Sequence, residues 1–297
     1  MTSARRTALG LLVSGAIGVG AALVGLLPWL VTGARRPLQN LWGAETLPAL
    51  MPITLLPFSQ YAVTSLIALL VVGGVVSGIA SRALRSRMPP GSAPATAAGY
   101  LLVQLVAIVQ TSVVVGAGLQ DRTESTVYLL ACIAVAGFGL VVGFVAFVLI
   151  ARAPVAGAVP ALAAGALAFG SWVSALAIAR DEWVLSSSAL WDVVRWGPAV
   201  LVGAAIAWGG IRTAGRAIAA AVAILMLWIV PAVATAVSSS VGSRALLHYP
   251  LEMLDYGAGV FRSAVLMPQL VLPPVGVALV VAAIGIAVRE LVARRPG

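Results

Sequence analysis

The chain of 297 residues has no lysine, one cysteine and one histidine, and only 9% of its residues carry charge, where soluble domains carry roughly a quarter. So little charge excludes a soluble globular fold. A lone cysteine, Cys132, set in an apolar run, supports neither a disulfide framework nor a thiolate metal site. A lone histidine, His248, excludes bis-histidine haem ligation. The HExxH zinc motif, the GxSxG nucleophile elbow and the GxxxxGK[ST] phosphate loop are all missing. No cofactor is expected, and an enzyme is the least supported class.

What the chain has in quantity is apolar surface: 61% of residues are hydrophobic and mean hydropathy is +1.08. The apolar residues gather into eight runs, near 8–31, 61–79, 98–119, 127–150, 157–179, 194–211, 217–237 and 270–288. Each run is close to the ~20 residues that cross a hydrocarbon layer as a helix. The expected fold is an all-α, polytopic transmembrane helix bundle of about eight spans, forming one integral membrane domain over 1–297. The first run follows Arg5 and Arg6 and exceeds the ~7–15 residues of a signal-peptide core. It is therefore read as a retained signal-anchor helix.

Arginine supplies every basic side chain, 18 against nine acids, for a formal net charge of +9. Arg near helix ends favours the cytoplasmic side, while acids contribute little. With the N-terminus inside, eleven Arg residues fall on the cytoplasmic face, among them Arg82, Arg85, Arg87, Arg212 and Arg289. Eight of the nine acids fall outside, and only Glu290 falls inside. The basic balance is thus a topology signal, with both termini inside, and no nucleic-acid partner is expected. The bilayer itself is the first partner, with anionic lipids at the cytoplasmic face. Trp29, Trp42, Trp183, Trp191 and Trp196 collect at the outer interface, as amphipathic rings do. Arg in place of Lys, with abundant Ala, Val and Gly, points to GC-rich coding and to the cytoplasmic membrane of a bacterium.

Cytoplasmic connections are short except 81–96, and the longer connections, 32–60, 180–192 and 238–269, lie outside. Two outer stretches, Leu190 to Trp196 and Leu251 to Leu266, alternate apolar and charged residues at near-helical spacing. Both read as amphipathic helices lying in the outer interface. Leu50-Met51-Pro52 with Leu56-Pro57 resembles Leu266-Met267-Pro268 with Leu272-Pro273. The match, together with Pro28 and Pro231 in the preceding runs, raises a repeated hairpin over the first two and last two spans. Coincidence in a chain rich in Leu and Pro is the alternative. Gly74 with Gly78, Gly139 with Gly143, and Ala161 with Gly165 have the spacing that lets helix backbones approach, within the monomer or at a homo-oligomer seam.

No Asp, Glu, Arg or His falls near the centre of any run, although proton relays keep such a group there despite a cost of ~2.5–3.5 kcal/mol. Proton coupling through a buried carboxylate is therefore disfavoured. The interior polar residues are neutral. Gln104, Gln110, Thr64 and Ser171 are the candidates for lining a solute path, with hydrogen-bonded packing between helices as the more common role. On the outer side, His248, Glu252, Asp255 and Asp192 are the candidates for an enzyme that acts on a lipid-linked substrate. Pro250 starts a helix after His248 and leaves it at the cap, which weakens a metal site there. Three functions follow, in this order: transport of an uncharged or lipophilic substrate, a non-catalytic scaffold or accessory subunit that meets a membrane partner through its outer face, and an enzyme on a lipid-linked substrate.

Overall fold

The structure, a computed structural model, describes residues 3–35, 41–180, 188–243 and 249–293. Among these residues there are nine α-helices and no strand: α1 Ser3–Val31, α2 Val63–Leu84, α3 Ser92–Gly118, α4 Thr123–Arg152, α5 Val155–Arg180, α6 Ser188–Gly209, α7 Ala214–Gly242, α8 Pro250–Val265 and α9 Pro268–Ala293. All but α8 are long and apolar enough to cross a bilayer. The eight apolar runs therefore each became one helix, and the protein is a multi-pass helix bundle. Each helix is longer than its apolar run, although α2 starts two residues into its run and α3 and α6 stop one and two residues short of theirs; polar residues at the ends continue the backbone hydrogen bonds. The connection expected over 81–96 shrinks in this way to 85–91.

Local chemistry sets the helix ends. Gly91 takes a left-handed φ of +90° just before α3, a conformation that costs glycine little. Thr213 caps α7, its side chain accepting from the Arg216 amide, and Pro250 opens α8 from its first turn. At the Arg-rich ends, here termed inner, arginine serves the last carbonyls of neighbouring helices. Arg82 donates to Ile150 O at 2.7 Å, and Arg289 donates to Ala207 O and Trp208 O at 3.1 and 2.6 Å. Cations at helix C-termini also meet the negative end of the helix dipole.

The chain divides into two compact units, residues 1–152 with 171–186, and residues 153–170 with 187–297. In the first, α1 packs on α3 and α2 on α4 through glycine. A Cβ at Gly18 would strike the Thr96 carbonyl, one at Gly99 the Gly15 carbonyl, and one at Gly74 the backbone of Gly143. The small residues seen in the sequence at 74, 78, 139 and 143 thus bring α2 and α4 together within the chain.

In the second unit, α6 packs on α9 over an alanine-rich core that includes Ala199, Val202, Ile206, Ala278 and Ala282. A Cβ at Gly203 would lie 2.6 Å from the Ala278 carbonyl. α8 rests on α7 along Met253, Gly257, Val260 and Ala264, which are half-buried, and Trp228 Nε1 donates to Val265 O at 3.1 Å. Leu251 to Leu266 is therefore an amphipathic helix apart from the spans. Leu190 to Trp196 is not a separate helix: it forms the opening turns of α6, which runs through Pro198 without a break. Nothing between Trp196 and Pro198 forces the chain to turn, so the amphipathic stretch continues into the span.

The two LMP segments have different structures. Pro268 starts α9 and Pro273 lies inside it, whereas 51–59 is irregular backbone, largely buried.

Candidate functional site

Polar side chains are not spread evenly through the interior. Among the described residues nine polar side chains are buried, and eight of them lie in the first unit: Ser14, Thr54, Ser59, Ser77, Thr96, Gln104, Thr111 and Ser125. Among its described residues the second has Ser240. α3 accounts for much of this asymmetry. Ser92, Thr96, Tyr100 and Gln104 follow one another at four-residue intervals and Thr111 comes seven further on, spacings that keep one helical face. Thr96, Tyr100, Gln104 and Thr111 are all buried, while Leu102, Leu105, Val106, Val109 and Val113 on the opposite side are exposed. The helix turns its polar stripe inward and its apolar surface outward, as a span in hydrocarbon requires. α2 matches it with Gly73, Ser77 and Ser81, again four residues apart.

At the inner end of this seam, Ser14, Ser81, Ser92 and Thr96 line a small cleft with Ile17, Ala80, Leu84 and Met88. Its water-sized space is about 10 Å³, room for about one water molecule. Ser14 and Thr96 donate to the carbonyls four residues before them, Gly10 O at 2.8 Å and Ser92 O at 3.1 Å, leaving their oxygens able to accept. Midway, the Tyr100 hydroxyl donates to Leu70 O at 3.2 Å, a backbone carbonyl reached because Gly143 of α4 has no side chain in the way. Gln104 and Ser77 are fully buried, and neither side chain has a hydrogen-bond partner in the protein.

The outer end is closed by the segment 51–59, which enters the bundle between α1, α3 and α4. Backbone that is neither helix nor sheet survives at such depth only if side chains serve its polar groups. Here they do. Leu55 N–H donates to Gln110 Oε1 at 3.0 Å and Gln110 Nε2 donates to Ile53 O at 3.0 Å. Leu56 N–H donates to Thr111 Oγ1 at 3.0 Å. Trp29 Nε1 donates to Thr54 O at 2.6 Å and the Tyr128 hydroxyl to Phe58 O at 2.9 Å. Thr111 is seven residues from the end of α3, so the segment reaches about 10 Å below that end at 1.5 Å per residue. Above it, Trp42 lies against Gly118, Gly43 N–H donates to Gly118 O at 2.8 Å, and Gln120 N–H donates to Leu41 O at 2.8 Å.

Of the four path candidates from the sequence, Gln104 and Gln110 belong to this seam, one in its middle and one under the outer segment. Thr64 is half-buried in the first turn of α2, and Ser171 is half-buried within α5, where the next residue, Trp172, donates to Gly25 O at 2.9 Å. Neither is hydrogen-bonded to the polar stripe of α3. On the outer side, Glu252 and Asp255 are exposed on α8 and Asp192 is exposed on α6, while His248 lies outside the described residues. Among the described residues no three of His, Cys, Asp and Glu converge.

Sequence reasoning passed over Ser77, Thr96 and Tyr100, and read 51–59 only as part of an outer connection with a possible repeat, not as a segment inside the bundle. The four-residue ladder from Ser92 to Gln104 was a readable signal for the first group. For 51–59 the signal was faint, since Leu55, Leu56, Pro57 and Phe58 look like the start of a span.

No protein-family model, curated protein or solved structure matches the chain. What fold and site define together is a class: a multi-pass α-helical membrane protein with a neutral polar seam inside one of its two units.

Proposed function

We propose that the protein transports an uncharged solute across the membrane, and that the first unit does the work. The inward polar stripe of α3 carries this reading. A span needs polar side chains on its buried face only if something polar is bonded there, and in this unit that face is polar from the inner cleft to Gln110. All of it is neutral, which fits a solute without charge and disfavours an ion, whose burial without a countercharge costs far more than a hydrogen bond returns. The irregular segment 51–59 fits the same reading, because interrupted backbone within a bundle recurs where transporters bind substrate.

The test is flux. Purified protein in liposomes is challenged with an osmotic step of glycerol, urea or a small sugar, and swelling is followed by light scattering. Faster swelling than in protein-free liposomes for at least one neutral solute supports the proposal. Rates equal to protein-free liposomes for all of them remove it.

A second reading, an accessory subunit that meets a membrane partner through its outer face, is favoured by α8. Its shoulder of Leu251 and Leu254 is 81% and 68% exposed, beside the exposed acids Glu252 and Asp255. Purification in mild detergent separates the two: a monodisperse preparation without a reproducible co-purifying protein counts against the accessory role. Anionic lipids at the Arg-rich inner ends belong to either reading.

A further inference from the structure

Gln104 stands near the middle of α3 with none of its surface exposed, and both ends of its amide are without a partner in the protein. Ser77 on α2 is equally enclosed and equally unmatched, although a serine in a helix ordinarily bonds the carbonyl four residues back. Gly73, one turn before Ser77, makes room for the amide: a Cβ there would lie 2.8 Å from Gln104 Nε2 and 3.4 Å from the Tyr100 ring. Among the described residues four enclosed side chains, all in this unit, leave polar atoms unmatched, Thr54, Ser77, Gln104 and Ser125, a departure from the rule that buried polar atoms are bonded; Gln104 and Ser77 are the two that lie on α2 and α3, which pack against each other.

We infer that Gln104 and Ser77 form a binding position for a small uncharged molecule that both donates and accepts hydrogen bonds, the class of water and urea. The chemistry of the pair selects that class. A primary amide offers a donor and an acceptor together, and a hydroxyl does the same, so a pure donor or a pure acceptor would satisfy half of what is exposed to it. No charged side chain lies on the buried faces of α2 or α3, which leaves an ion without compensation. The space beside Gly73 is bounded by the Gln104 amide, Ala22 and the Tyr100 ring, all within 3.4 Å of where a Cβ would stand, which limits an occupant to a few heavy atoms. A hydrocarbon chain satisfies neither group. The inference rests on the transport reading for its biological meaning, and names the substrate class of that seam.

Two measurements on full-length protein in liposomes keep the two claims apart. Solid-state NMR on protein labelled with 15N-glutamine reads magnetisation transfer from water, and from added urea, to side-chain amides. The Gln104 resonance is identified as the one lost in Gln104→Met. Transfer to Gln104 despite its complete enclosure is expected, reduced in Ser77→Ala. Absence of transfer from either molecule overturns the binding position. Osmotic swelling with urea is then compared among wild type, Gln104→Met and Ser77→Ala. A fall of about five- to tenfold in Gln104→Met, the factor given by the loss of one or two hydrogen bonds, is expected. Swelling unchanged in both variants overturns the position as the substrate site. Transfer to Gln104 with wild-type flux no greater than that of protein-free liposomes supports the position and removes the transport reading instead. Should Gln104→Met fail to fold, Ser77→Ala and Gly73→Ala, which crowds the amide without removing it, carry the same comparison.

Discussion

Gln110 and Leu55 are joined by a hydrogen bond that replaces secondary structure: the Leu55 amide has no helix or strand to serve it and finds Gln110 Oε1 at 3.0 Å. The same side chain donates to Ile53 O, so one amide satisfies two backbone groups two residues apart, as a neighbouring strand would. Gln110→Leu removes both bonds. Each group then left unmatched in the interior costs about 1–3 kcal/mol, and the segment 51–59 is expected to loosen before the helices do. A cysteine at Leu56, which is fully buried, in a Cys132→Ala background, reports this directly. Maleimide should modify it slowly in the parent and much faster in Gln110→Leu. Equal rates would show that the side chain is not what holds the segment.

Gly74 and Gly143 place the backbones of α2 and α4 in direct contact, and a Cβ at Gly74 would overlap the Gly143 peptide. Gly74→Val forces the helices apart over the region where Leu70, Ala136 and Phe147 are buried, and overpacking of this kind costs about 1–3 kcal/mol or more. The protein carries its own reporter, since Cys132 is its only cysteine and is buried in this core. Heating in the presence of a thiol-reactive dye should give a lower transition temperature for Gly74→Val than for wild type. Gly137→Val, on the same helix as Gly143 but with open space around its would-be Cβ, should change it little.

The spans were legible because the physics that sets them is one-dimensional. About 20 apolar residues suffice to cross hydrocarbon, and the runs near 98–119 or 217–237 need no partner to be read. Small residues at 74, 78, 139 and 143 were likewise visible, because close approach is written in side-chain size. The seam was less legible. Gln104 and Gln110 stood out by residue type, but Tyr100 and Thr96 became site residues only through the direction in which α3 faces, which depends on where α1, α2 and α4 pack. The segment 51–59 was hidden most fully. Met51-Pro52 and Leu266-Met267-Pro268 look alike as text, yet one leads into irregular backbone that Gln110, Thr111, Trp29 and Tyr128 satisfy from distant points in the chain, while the other starts a helix that serves its own hydrogen bonds.

α8 has three arcs rather than two. Met253, Gly257, Val260 and Ala264 meet α7, while Glu252, Asp255, Ser263 and Arg262 form an exposed polar side. Between them Leu251 and Leu254 are exposed. α8 runs back along α7, with Gly257 against Ser240 and Val265 at Trp228, the middle residue of that span, so the apolar shoulder beside the packed face is expected to meet acyl chains. Spin labels at Leu251 and Leu254 should be more accessible to oxygen than to a polar nickel complex, and labels at Glu252 and Asp255 should show the reverse. The same polar-complex accessibility at all four positions would place α8 in water and favour a protein partner for the shoulder.

Arg289 is the point at which the inner end of the second unit is held. Its guanidinium donates to Ala207 O and Trp208 O, two carbonyls that the end of α6 leaves without helical partners, and it lies close to Gly210, whose φ of +67° stops that helix. Glu290 next to it pairs with Arg212 at 3.2 Å, both well exposed, and that pair contributes little in water. Arg289→Ala should therefore cost about 1–2 kcal/mol through the lost carbonyl bonds and the helix dipole, while Glu290→Gln should cost far less. Gly210→Ala should also destabilise, by about 1 kcal/mol for the left-handed conformation, and by more if its Cβ displaces the guanidinium that would lie 2.9 Å away. Thermal melts followed by circular dichroism in detergent distinguish these. If Arg289→Ala and Glu290→Gln melt together, the charge at this end acts only as a topology signal and not as a cap on α6.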